Sequence, residues 1–154
     1  MANEMVTVTG LEEVQALLQN APKVVVATGY LRGLQAGAEV IQQELYIRTP
    51  ECDEGERNDD DPHLNESMVV DIALDSNFRG GVAEVGFGKM GWKANLVEYG
   101  HQMVGHKPAK KVLGTVAAHP FMRPAAAAAA DRAIEAFANE LESVLRGALT
   151  DGSV

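Results

Sequence analysis

Apolar residues recur at spacings of four and three through the first third of the chain. Ala27, Leu31, Leu34, Ala38, Ile41 and Leu45 form one stripe, the period of a helix that buries one face. Pro22 suits the first turn of that helix. Thr49-Pro50 ends it, because a residue before proline is pushed out of the α region. The spacing therefore predicts a helix over residues 22 to 47. Gly29, Gly33 and Gly37 stand every fourth residue on another face, each less favourable than alanine by about 1 kcal/mol in a helix interior. Two readings explain them: close approach by a sheet or a neighbouring subunit, or simple tolerance.

The period then changes to two. Met68, Val70, Ile72 and Leu74 alternate with Val69, Asp71, Ala73 and Asp75. Ser76 to Gly81 turns the chain, and Ala83, Val85 and Phe87 alternate with Val82, Glu84 and Gly86 on the return. This is the pattern of an antiparallel hairpin. A shorter alternation at Val6 and Val8 precedes a helical turn over Leu11 to Leu18. Trp92 to Tyr99 is too short to assign as helix or strand. Gly100 to Ala118 reads as an exposed loop, or as a second hairpin with Val112 to Val116 returning. In the last third Pro124 takes the first position of a helix, followed by Ala125 to Ala130, the residue type with the highest helix propensity. Ala130, Ile134, Phe137, Leu141, Val144 and Ala148 give its buried stripe, and Gly147 offers a stop.

The elements add up to an α+β chain: a small antiparallel β-sheet packed by a long helix in the N-terminal half and by a C-terminal helix. One domain over residues 1–154 is expected, with an acidic loop at 51–63 and a flexible tail at 148–154. Its length suits one core rather than two.

Charge narrows the partners. The chain carries 13 Lys and Arg against 22 Asp and Glu, a formal net charge of −9. Nucleic-acid clamps draw affinity from clustered cations, so this balance argues against one. It suits an ordinary solvated surface, and also a surface past which DNA slides without sticking. The acids concentrate at Glu51, Asp53, Glu54, Glu56, Asp59, Asp60 and Asp61. A calcium loop needs a central glycine and a closing glutamate at set positions, and Gly55 and Glu56 fall elsewhere, so the segment reads as a solvated loop. No apolar run is long enough to span a membrane. The first residues lack the basic and apolar regions of a signal peptide, and Cys52 stands alone. Both features predict maturation in the cytoplasm.

The candidate chemistry is thin. Gly86-Phe87-Gly88-Lys89-Met90-Gly91 matches the glycine spacing of a dinucleotide loop, and a small nucleotide-binding enzyme built on it is the alternative function. Such a loop also needs a βαβ unit around it, and the hairpin upstream argues for a glycine-rich turn instead. His63, His101, His106 and His119 lack the spacing of zinc ligands, and no serine sits in a nucleophile elbow. No catalytic residue, metal or cofactor is expected. Glu98 and Arg123 lie among apolar neighbours in separate segments; they either pair or are unrelated surface charges.

Two runs carry a family resemblance. Leu96-Val97-Glu98-Tyr99-Gly100, followed by a variable loop and then His119-Pro120-Phe121-Met122-Arg123-Pro124-Ala125, resembles the V-E-aromatic-G … P-F-M-R-P-A signature of tail-completion proteins of tailed bacteriophages. These are the head-tail joining, or minor tail component, proteins of long-tailed phages. The long amphipathic helix, Thr49-Pro50 and the strand start Leu64-Asn65-Glu66-Ser67-Met68 follow the family's order. Pro62-His63 replaces the family's usual Thr-Gly, and the acidic loop and the Gly100–Ala118 insert are longer than typical. The resemblance implies a non-catalytic α+β subunit of the virion neck. It would form a homo-oligomeric ring, typically sixfold, between the portal complex with its connector or adaptor proteins and the tail tube or its terminator. DNA would pass through the lumen without sequence-specific binding, and no membrane is involved. On this reading Glu98, Tyr99, Phe121, Met122 and Arg123 are subunit-interface candidates, with Phe121 either an interface anchor or a plug in its own core. Asp53, Glu54, Glu56, Asp59, Asp60 and Asp61 are candidates for the wall of the DNA channel.

Overall fold

The computed structural model describes residues 22–51, 63–78, 80–105 and 111–150, the side chain of Leu149 excepted. The strand and helical turn read in residues 1–21 and the acids of 52–62 lie outside the described residues. Helix α1 runs over Lys23–Arg48. A 3-10 turn at Asn65–Ser67 leads into β1, Met68–Leu74, and β2 returns as Gly81–Phe87. Helix α2 takes Gly91–Tyr99; β3 and β4 are His101–Val104 and Val112–Val116; α3 spans Met122–Thr150. The fold is α+β, as the periodicities predict.

The strands form two separate antiparallel hairpins rather than one sheet. The β1–β2 register runs from Met68 opposite Phe87 to Leu74 opposite Gly81, and β3–β4 starts with His101 opposite Val116. Helix α2 lies between the hairpins in the chain, and it carries the second one away from the first. Trp92 to Tyr99, ambiguous by period, belongs to this helix.

Helices α1 and α3 form the main packing surface, and the glycines decide its closeness. A Cβ on Gly33 would stand 2.8 Å from Phe137 Cδ2, and one on Gly37 would stand 3.0 Å from the Ala133 carbonyl oxygen. The partner of the glycine face is thus the chain's own last helix, not the sheet or another subunit. The pairing order, Gly29 with Leu141, Gly33 with Phe137 and Gly37 with Ala133, makes the two helices antiparallel.

The expected stripe of α3 holds at Phe137, Leu141 and Val144, which face the glycines of α1, but the close approach shifts it by one position at its N-terminal end. Ala125, Ala129, Ala133, Leu141 and Leu145 are buried, whereas Ile134 is 65% exposed and Ala130 faces solvent. Small alanines fit where two backbones nearly touch; Ile134 does not, and it turns outward. Helix α3 begins at Met122, which makes Pro124 its third residue, and it continues past Gly147 to Thr150. Ala148 to Thr150 are therefore helical, not part of a tail.

A core cluster lies where α1, α2, β2 and α3 converge. Leu45, Ala94, Phe121 and Ala125 are buried together, with Met68, Val85, Phe87 and Val97 packed around them. Burying a large side chain contributes roughly 1.5–3 kcal/mol, so these residues, rather than alanine propensity, hold the start of α3 in place.

Candidate functional site: a buried carboxylate at the base of a projecting hairpin

The first N–H groups of any helix lack partners within it. Before α3 the chain reads Ala118-His119-Pro120-Phe121, and the position ahead of Met122 holds Phe121, not one of the Ser, Thr, Asp or Asn residues that cap locally. The acceptor comes instead from α2. Glu98 Oε2 accepts the N–H of Phe121 at 2.7 Å and that of Met122 at 2.9 Å. Glu98 Oε1 accepts Arg123 Nε at 2.8 Å, and the Arg123 N–H approaches the same oxygen at 3.5 Å. The α3 dipole places partial positive charge at this carboxylate. Glu98 is only 1% exposed.

Burial by itself would raise the Glu98 carboxyl. The Arg123 guanidinium and the N–H groups of Phe121, Met122 and Arg123 outweigh that effect and hold it at about 2. Glu98 in turn raises Arg123 above its ordinary value through their hydrogen bond, against a smaller lowering by desolvation. The guanidinium also lies over the Tyr99 ring, 5.2 Å from its centroid, a cation–π geometry. Glu98 and Arg123 are thus partners rather than unrelated charges.

The same connection closes the base of an excursion. His119 donates its N–H to the Val97 carbonyl at 2.8 Å, so the segment between α2 and α3 leaves and returns at one place. Gly100 has φ 73° and its Cβ would stand 2.6 Å from the Val116 carbonyl oxygen, so only glycine turns α2 into β3 there. The β3–β4 hairpin then projects: it packs on no other described element to more than a marginal extent. Met103, Val104, Val112, Leu113 and Val116 are all exposed on it, and Tyr99 is exposed at its root.

The predicted interface residues therefore divide. Phe121 is 2% exposed and its ring lies 5.8 Å from that of Phe87. It is the core plug and not an accessible interface anchor, because Glu98 draws its backbone inward beside β2. Met122 is half-buried, whereas Tyr99 and Arg123 are exposed. The channel candidates Asp53, Glu54, Glu56, Asp59, Asp60 and Asp61 lie outside the described residues. The apolar hairpin face was missed by the sequence reading, though a return strand at Val112 to Val116 with apolar residues on both faces was visible.

Gly86 and Phe87 end β2, Gly88 donates its N–H to the Ser67 carbonyl at 2.8 Å, and Gly91 opens α2. A strand, a turn and a helix do follow one another here. The strand is antiparallel to its neighbour, however, and α2 leads to a second hairpin instead of a parallel strand, so the frame of a dinucleotide site is missing. Among the described residues no three His, Cys, Asp or Glu side chains are grouped to hold a metal ion, and no helix is long and apolar enough to cross a membrane.

No protein-family model, curated protein or solved structure matches the chain.

Proposed function

We propose that this chain is a structural virion protein of the phage neck, a tail-completion subunit that forms a ring between the portal complex and the tail tube. The observation that carries this reading is the Glu98 clamp. The two halves of the signature, separated by the Gly100–Ala118 insert, meet in one buried cluster, with Glu98 holding Phe121, Met122 and Arg123. The resemblance thus falls on residues that act as one physical unit.

What the unit does also suits an assembly subunit. It fixes the root of a hairpin whose apolar side chains face outward, and exposed apolar surface of this kind marks interaction sites. On this reading the partners are further copies of the chain, the connector or adaptor proteins and the tail tube or its terminator. Asp53, Glu54, Glu56, Asp59, Asp60 and Asp61, outside the described residues, remain the candidates for repelling phosphates along the DNA passage. The role calls for no catalysis, cofactor or membrane. Mass spectrometry of purified virions tests it: the protein should be present at a small, ring-like copy number relative to the major capsid protein, and its absence from complete particles would overturn the assignment.

A further inference from the structure

Two surfaces of this chain complement each other and make at most marginal contact within one copy. The first is the β3–β4 hairpin. Isolated two-stranded hairpins are marginally stable in water, yet this one exposes Met103, Val104, Val112, Leu113 and Val116. Lys111 is exposed just ahead of β4.

The second surface is the outer face of β1–β2. The inner face, with Val70, Ile72 and Leu74, is half-buried on the α1 side. The outer face shows Val69, Ala73 and Val82 around Asp71 and Glu84. Asp71 and Glu84 are direct cross-strand partners, and like charges directly opposite are destabilising. Neither makes an ion pair or hydrogen bond among the described residues. An apolar face with two uncompensated carboxylates at its centre fits an apolar partner that brings a cation.

We infer that the β3–β4 hairpin of one copy docks on the outer β1–β2 face of the next. Leu113 lies against Val69 and Val82, and Lys111, two positions earlier and so on the same face of the strand, reaches the Asp71–Glu84 pair. The contact joins unlike surfaces, so it repeats head to tail and closes into a ring when the rotation allows. The inference deepens the ring reading and rests on it.

Light scattering of three proteins and one mixture tests it, with circular dichroism to verify folding. Leu113→Asp breaks the hairpin surface and Val82→Asp the sheet surface. Wild type should assemble, each variant alone should be monomeric, and their equimolar mixture should stop at dimers, because one intact hairpin then meets one intact sheet. Lys111→Glu should also abolish assembly, and Glu84→Lys in the same chain should restore it. Wild-type assembly by either Asp variant, or a mixture that stays monomeric, overturns the docking inference while leaving the ring reading in place. A wild-type chain that is monomeric at the highest concentration reached overturns both.

Discussion

The carboxylate of Glu98 accepts the backbone N–H of Phe121 at 2.7 Å across 23 positions of sequence. That bond ties the residue before α3 to the body of α2, and it supplies from a distance the cap that the local sequence lacks. It also pins the two ends of the hairpin segment together. Folding stability and the presentation of the hairpin therefore depend on one side chain.

Removing that side chain should cost far more than removing its ionic partner. Glu98→Ala leaves several N–H groups unpartnered at a buried helix start, and should lower stability by about 3 kcal/mol. Arg123→Ala should cost clearly less, since its side chain is largely exposed and solvent screens such groups. Chemical denaturation of both variants and of the double variant checks this. The paired losses should be smaller than the sum of the single ones.

The clamp also predicts an acid dependence. The folded Glu98 carboxyl is held at about 2, below its ordinary 4.5, so its contribution is complete above the ordinary value and fades as the pH falls toward the folded one. Thermal unfolding followed across that window should show the wild type losing stability more steeply than Glu98→Gln. Parallel curves would show that Glu98 titrates normally.

The glycine face gives a contrast between two substitutions of the same kind. Gly33→Ala meets Phe137 Cδ2 at 2.8 Å and its carbonyl oxygen at 3.0 Å, and should destabilise by about 1–3 kcal/mol despite the better helix propensity. Gly147→Ala meets nothing within 4 Å, and should be neutral or stabilising by up to about 1 kcal/mol. Denaturant midpoints decide between them.

Phe121→Ser opens the core beside Phe87, Ala94 and Ala125. Emptying such a site should cost about 3–5 kcal/mol. Loss of cooperative unfolding by circular dichroism is the expected outcome; a native-like variant would place Phe121 at a surface instead.

Much of this architecture was legible because local periodicity and turn chemistry agree with it. The change from a period near 3.6 to a period of 2 at Met68 marks the first hairpin, and Thr49-Pro50 marks the end of α1. The face of α3 was not legible in the same way. Ile134 is the more hydrophobic candidate, but the glycines of α1 bring the backbones so close that Ala129 and Ala133 take the buried positions, a demand made by the other helix. The Glu98–Arg123 pairing was visible only as a possibility, since a cap drawn from another helix has no local spacing. One signal was present: whether the helix is started at Pro124 or at Met122, the residue ahead of it, Arg123 or Phe121, is not a capping type, which leaves the start of α3 in need of an acceptor from elsewhere.

The most direct test of the proposed role is particle assembly without the chain. The proposed neck role predicts that a phage lysate made with this gene interrupted accumulates filled heads and finished tails separately, and that added purified protein joins them. Joined, infectious particles formed in its absence would contradict the neck assignment.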